Sequence, residues 1–494
     1  MKIRLLLVFS IMVCLSSQAF ATTARTSLTQ AKLDQLQHQI NSLQTQVYVL
    51  RRQNKVRRAT KRQVHATKIQ NKKCRLLKHS HTQFFAFSDS VIIAPFTEQE
   101  TFNTGNELLV NAPTINEDVK LLYRRYLEQH LMLPEKLATS THPRLLLSGQ
   151  VQAQAVYEKP YLGSRTSDIN LSAAELDIFA EISKWVNGFI AMTYDNSVGA
   201  TPNRISNSNI RLDRGFLLFG DFNKSHWYGS VGQVYVPFGR YSSSMISDPL
   251  TYYVGKTKAR AVTVGYAPGC ASNSLYGSMF VFQGASKYYA GNKINNGGLD
   301  FGFIANKNKA SVEGGVSYIY NIADSAGMQN NGVMASTGNF MGFDGSNNER
   351  IRRNISGGDA HGVVSYGPFS VIGEYVSALR GFNLANLSYN GRGAKPSAFN
   401  VEGAYVFHAF SHPSSVAVGY STSKQSLGLN IPKQRYYATV GITVLNNTKA
   451  SLEFRHDKNY GVTDTATGQG ITAFTANQLG KTDNAVTAQL TVYF

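Results

Sequence analysis

Cysteine is nearly absent from this chain, with three residues in 494. Cys14 falls in an apolar leader, which leaves Cys74 and Cys270, too few for a disulfide scaffold and a poor start for a metal site. Long apolar runs are scarce too. After Leu5–Leu15 no stretch reaches the roughly 18 uncharged apolar residues that a spanning helix requires. A helical membrane protein is excluded. Converging acid–base sets are also missing. His226, His361, His408, His412 and His456 are scattered, without the spacing of a metal box or a triad. The sequence therefore offers no catalytic set and calls for no cofactor. Acidic residues are scarce in one region: residues 22–90 hold 14 Lys and Arg against Asp34 and Asp89, a net of +12.

What is present starts with a leader. Lys2 and Arg4 precede the apolar run, and Ala19-Phe20-Ala21 has the small-x-small pattern of a signal peptidase site. Residues 1–21 are expected to be a secretory signal peptide, with Val13 too bulky for a lipoprotein motif. An exported chain does not meet nucleic acid, so the basic block has other targets. These are anionic headgroups, the cell-wall polymer, or water around a solvated tether.

The last ten residues alternate. Val486, Ala488, Leu490, Val492 and Phe494 interleave with Thr487, Gln489 and Thr491. Period two puts the apolar set on one face of a strand. In a transmembrane barrel that face meets lipid. The pattern resembles the C-terminal strand of bacterial outer-membrane proteins, whose terminal Phe is read by the insertion machinery. The 26 Tyr, 27 Phe and 42 Gly also suit a lipid-facing barrel with aromatic girdles.

From Arg144 onward the chain is a series of such alternations. Sixteen runs are separated by connections that alternate long and short. The long ones cover about 158–169, 196–208, 237–257, 284–298, 321–358, 380–396, 421–434 and 457–483. The short ones fall near 183–188, 221–226, 267–274, 306–309, 366–369, 408–414 and 445–449. Eight long and seven short connections in strict order predict an even-stranded antiparallel barrel with both termini periplasmic. Runs 209–221, 226–236 and 369–379 alternate weakly, so fourteen and eighteen strands stay open beside sixteen. No domain of plug size precedes the barrel.

Ahead of it, Leu33, Leu36, Ile40, Leu43, Val47 and Leu50 form an a/d heptad seam. The seam predicts a short α-helical coiled coil and a homo-oligomer built on it, with a single packed amphipathic helix as the alternative. The division is then a signal peptide at 1–21 and a periplasmic coiled coil with basic spacer at 22–90. A periplasmic helical linker follows at 91–142 and an all-β outer-membrane barrel at 143–494. The basic spacer, Arg51 to Lys78, holds twelve basic residues and no acid.

Four blocks carry a family resemblance: INEDVKLLYRRYLE, SDINLSAAELDIFAEISKWVNGFIAMTYDN, RLDRGFLLFGDFN and GQVYVPFGRYSSSMISDPLTYYVGKTKARA. Together they resemble the LbtU-family siderophore porins, from about Leu33 to Phe494. The resemblance implies an outer-membrane barrel, a periplasmic coiled coil and uptake of an iron-siderophore without a plug domain. It carries over no ligand residues. GQVYVPFG alone also resembles phosphate- and anion-type porins. An envelope tether or adhesin anchored by the barrel is the reading from a different class.

A porin of this width needs a restriction. The third long connection, Pro237 to Thr257, is the candidate. It brings Arg240, Asp248 and Lys256, with Lys258 and Arg260 just beyond. Glu175, Asp177 and Glu181 on the second run are aimed at the lumen by period two. Opposite charges across a constriction would orient a passing solute. The bland alternative for each residue is a solvated wall or rim charge.

Overall fold

The computed structural model describes residues 143–195, 209–221, 225–267, 273–286, 293–307, 310–331, 351–445, 447–467 and 477–494. It also describes Asp118, Val119, Leu122 and the backbone of 85–86 and 91–93. The leader, the Leu33–Leu50 seam and the basic spacer lie outside the described residues.

Sixteen strands form the wall. They are β1 Arg144–Lys159, β2 Thr166–Glu181, β3 Val186–Asp195, β4 Asn209–Phe219, β5 Trp227–Tyr235 and β6 Lys258–Tyr266. Then come β7 Asn273–Phe282, β8 Asn296–Lys307, β9 Ala310–Ile319, β10 Gly357–Tyr366 and β11 Phe369–Ala378. The wall ends with β12 Ser397–Ala409, β13 His412–Lys424, β14 Gln434–Leu445, β15 Thr448–Lys458 and β16 Thr482–Tyr493. Each strand pairs antiparallel with the next, and β16 returns to β1, from Asn484 opposite Lys159 to Tyr493 opposite Gln150. The sheet is therefore a closed barrel, with every central strand paired on both edges.

The wall has an apolar outside. Val262 and Val264 on β6, Leu299, Phe301 and Phe303 on β8, and Val486, Leu490, Val492 and Phe494 at the end of the chain are all exposed. Large exposed apolar faces at period two fit lipid, not water. Trp185, Trp227, Tyr366, Phe369 and Phe410 mark the end with short turns, and Tyr157, Tyr318, Tyr320 and Tyr436 the end with long loops. These are the two girdles. At the seam, Gly149 and Phe494 exchange backbone hydrogen bonds of 2.9 and 3.0 Å. A Cβ at Gly149 would run into the Phe494 ring, so glycine lets the last residue close the barrel. Beyond that point the free edge of β1 is occupied by residues 91–93, which pair in parallel with Leu145–Leu147.

The inside is not uniformly polar. Leu146, Phe179, Phe189, Phe216 and Leu218 line the inner face of β1–β4 and are buried. Val119 and Leu122, both fully buried, belong to the same apolar cluster. The sequence pattern places these residues in a periplasmic linker. Among its described residues, Val119 and Leu122 pack against the inner apolar patch and Asp118 pairs with Arg214 of the wall. Their apolar i, i+3 pair finds there an apolar patch that bare water would not tolerate.

Candidate channel constriction

The loop between β5 and β6 decides the shape of the bore. It leaves β5 at Val236 and passes through Gly239, whose φ of 75° is the left-handed region open to glycine. A Cβ there would strike the Tyr241 ring, whose hydroxyl donates back to the Phe238 carbonyl at 2.7 Å. The turn sends the chain inward. The amide of Leu250 then donates to Ser421 Oγ on β13 at 3.0 Å. In a sixteen-stranded ring β13 stands eight strands from β5, so the loop crosses the whole bore. It returns as a short helix α1, Leu250–Gly255, packed against β11, β12 and β13.

Three wall glutamates hold the crossing, each accepting hydrogen bonds from the loop. Glu374 on β11 accepts from the amides of Arg240 and Tyr241 at 2.7 and 2.8 Å and from Thr251 Oγ1 at 2.7 Å. Glu402 on β12 accepts from the Ser244 amide at 2.8 Å and from the hydroxyls of Ser243 and Ser244 at 2.8 and 2.9 Å. Glu453 on β15 accepts from the amides of Ile246 and Ser247 at 2.5 and 3.1 Å and from Ser247 Oγ at 2.5 Å. A loop without secondary structure has amides to satisfy, and buried carboxylates satisfy them with charge-assisted bonds. Arg435, held by Asp457 through two bonds of 2.8 Å, donates from Nη1 to the Asp248 carbonyl at 2.7 Å.

The candidate charges are placed as follows. Arg240 reaches Glu313 on β9 at 2.5 Å, and its Nε donates to Ser242 Oγ at 2.7 Å. Asp248 contributes its backbone carbonyl to Arg435 on the far wall. Lys256 is buried, with Nζ 3.9 and 4.2 Å from the ring centres of Tyr235 and Tyr252. These three belong to the crossing loop. Lys258 and Arg260 do not. Ala259, Ala261 and Thr263 point inward, and Arg260 shares the exposed face with Val262 and Val264. Lys258 Nζ sits 3.0 Å from Asp213 at the rim. The expected basic set is therefore split by the pleat.

Glu175 faces the bore, as period two requires, but its partners are Arg214 Nη2 and Gln150 Nε2, both at 2.8 Å. Arg214 also holds Asp118 at 2.6 Å. A bulge at Asp213, between the pairs Ala191–Arg214 and Met192–Leu212, shifts the pleat and turns Arg214 inward. Asp177 is buried in the wall beside the apolar patch, and Glu181 lies opposite Arg144 at the end with short turns. Glu175 thus serves the internal segment through Arg214, while the loop takes its acids from β9, β11, β12 and β15. They do not face each other as a pair of opposed charges.

Sequence reasoning did not single out Glu374, Glu402 and Glu453. The signal was available: each stands between two apolar or glycine neighbours at an inward position. The run Ser242-Ser243-Ser244 in the loop carries matching donors.

No family model matches the chain. The UPF0422 protein of Coxiella burnetii is 35% identical over 433 residues, covering 86% of this chain and 88% of the relative. This chain belongs to the UPF0422 family. A UPF0422 protein of Legionella pneumophila is 36% identical over 417 residues, covering 82% of this chain and 76% of its own. Among solved structures, the UPF0422 chain is similar to the outer membrane channel DcaP of Acinetobacter baumannii. There the TM-score is 0.45 at 14% identity, over 72% of this chain and 99% of that one. The anion-selective porin of Comamonas acidovorans gives 0.46 at 10%, over 72% and 100%. The barrel assignment for this UPF0422 chain rests on its own strand pairing and lipid-type surface.

Proposed function

We propose that this protein is an outer-membrane channel for small solutes, restricted by its third loop and by residues packed inside β1–β4. The observation that carries the reading is the loop crossing from β5 to β13, held by three buried glutamates. A barrel serving only as an anchor has no need to build and latch a restriction across its bore. Both termini are periplasmic and the long loops face outside, because the longest connections, 196–208, 236–257, 320–356 and 459–481 among them, all fall at one end of the barrel. The Leu33–Leu50 seam makes a homo-oligomer, and the basic spacer contacts the cell wall or the inner-leaflet headgroups.

The cargo class rests on the four sequence blocks that resemble siderophore porins, which name a ferric-siderophore. An anion-type diffusion porin has less support: Arg240 is paired with Glu313, Lys258 with Asp213, and Arg260 faces outward. Single-channel recording tests the channel, since a tether passes no defined unit current. Uptake of labelled ferric-siderophore by a deletion strain under iron limitation tests the cargo separately. Conductance with unchanged siderophore uptake would keep the channel and remove the cargo. Tags inserted in 332–350 or 468–476 should stain on intact cells, and a tag at 308–309 should not.

A further inference from the structure

Behind the loop, beside its first glutamate anchor, three side chains form a compact donor set. Asp359 and His361 are two residues apart on β10, so both point into the bore. Glu374 stands directly across the ladder from His361. One ligand atom from each, an imidazole nitrogen and two carboxylate oxygens, lies within 4.8 Å of the other two. All three residues are at least nine-tenths buried.

Both imidazole nitrogens of His361 are engaged, so a cation would take the place of the proton that Nδ1 shares with Asp359, while carboxylate oxygens are left over. His361 Nδ1 is 2.7 Å from Asp359 Oδ1, and Nε2 is 3.0 Å from the Tyr276 hydroxyl. Ser317 Oγ donates to the same Asp359 Oδ1 at 3.3 Å. Asp359 Oδ2 is buried with no hydrogen-bond partner. A buried carboxylate oxygen left unmatched is costly. The surroundings add charge of the same sign: Asp300 on β8 is buried on the inner face, and Glu313 on β9 lies beside Arg240. Four acids share this corner with one arginine and one histidine.

We propose that Asp359, His361 and Glu374 bind a first-row divalent cation. One imidazole and two carboxylates suit Zn²⁺ or Mn²⁺ and are a poor set for a soft monovalent ion. The cation neutralises the corner and satisfies Asp359 Oδ2. Carboxylate oxygens carry two lone pairs each, so Glu374 can ligate while still accepting from Arg240, Tyr241 and Thr251. The site thereby braces the end of the loop that turns inward. It stands whether or not the channel carries a siderophore.

The test uses the full-length protein extracted in detergent, stripped with a chelator and titrated with Zn²⁺. Bound metal is counted by mass spectrometry and heats are measured by calorimetry. The wild type should saturate near one equivalent at this site. Asp359→Asn and His361→Gln should each weaken that binding by at least about tenfold. Heat-modifiable migration on gels reports that each variant is folded. Co²⁺ in place of Zn²⁺ should give a visible absorption that His361→Gln alters. Zinc that survives both substitutions in a folded protein would belong to other histidines and would overturn the proposal. So would a wild type that shows no saturable binding, since the two carboxylates would then share a proton.

Discussion

Removing Glu453 should release the middle of the crossing loop. Its carboxylate accepts from two loop amides, the Ser247 hydroxyl and Thr439 Oγ1 at 2.9 Å. A hydrogen bond to a charged group contributes about 1.5–3 kcal/mol net. Glu453→Gln keeps one carbonyl acceptor but turns an amide NH₂ toward donors, so about two of these bonds are lost. That is roughly 3–6 kcal/mol against the latched state, or on the order of a hundredfold to ten-thousandfold in its equilibrium. Glu402 offers a second anchor of the same kind, and the double variant Glu402→Gln/Glu453→Gln should leave Glu374, Arg435 and Ser421 as the remaining polar anchors. Two measurements follow from this. Unit conductance in planar bilayers should rise with added flicker. A cysteine at Ser247, silent to a hydrophilic thiol reagent in the parent, should become reactive in the double variant. If conductance and labelling both stay at parent values, Glu402 and Glu453 are not what holds the loop, and the restriction must rest on Glu374, Arg435, Ser421 and the apolar packing of α1.

Three further expectations come from the same geometry. Arg240→Gln removes the partner of Glu313 and should move reversal potential toward cations, whereas Arg260→Gln should leave it alone because that residue stands on the outer face; the reverse pattern would contradict the placement of β6. Arg214→Ala breaks both the Asp118 and Glu175 bonds, and breaking a buried pair costs about 3–5 kcal/mol, so limited proteolysis should cut within 91–142 sooner than in the parent. Burial raises the Asp324 carboxyl to about 6 from an unfolded value of 3.8, despite bonds from the Ser286 amide and Asn296 Nδ2. Its protonated form is the better fit, so the β9–β10 loop should be most stable below about pH 4 and lose stability as pH rises to about 6. Hydrogen exchange at 322–329 should follow that curve in the parent and flatten in Asp324→Asn.

The strand map was legible because the wall obeys one rule at a time. The connection at 196–208 begins after Asp195 and ends before Asn209, and the turn at Tyr366–Phe369 joins β10 and β11 at those residues. Runs 209–221, 226–236 and 369–379 alternated weakly for a reason seen only in three dimensions. On β4, Leu217 and Phe219 face lipid while Phe216 and Leu218 pack inside, so both faces are apolar. On β11, Val371 and Tyr375 face out while Ile372 packs near Met245 of the loop. An inner face goes apolar where something covers it, and the cover comes from a distant part of the chain. The side of Arg260 could have been read from Val262 and Val264, two and four residues on. The partners of Arg240 and Glu175 could not, because ion pairs across a bore leave no spacing in sequence. The inward turn of the loop was anticipated; its fastening to β11, β12 and β15 was not.

The crossing loop has a consequence for anyone who would widen this channel by excising it. In a barrel whose inner wall is polar throughout, cutting a loop leaves water where the loop had been. Here it would strand Glu374, Glu402 and Glu453 without donors and strip the cover from Ile372, Val376 and Ala378. Wall and content are one folding unit. A shortened variant should therefore fail during assembly and never reach the membrane as a larger hole. Changes of cargo across relatives would have to come from side chains on the loop's free edge, with its backbone path kept in place.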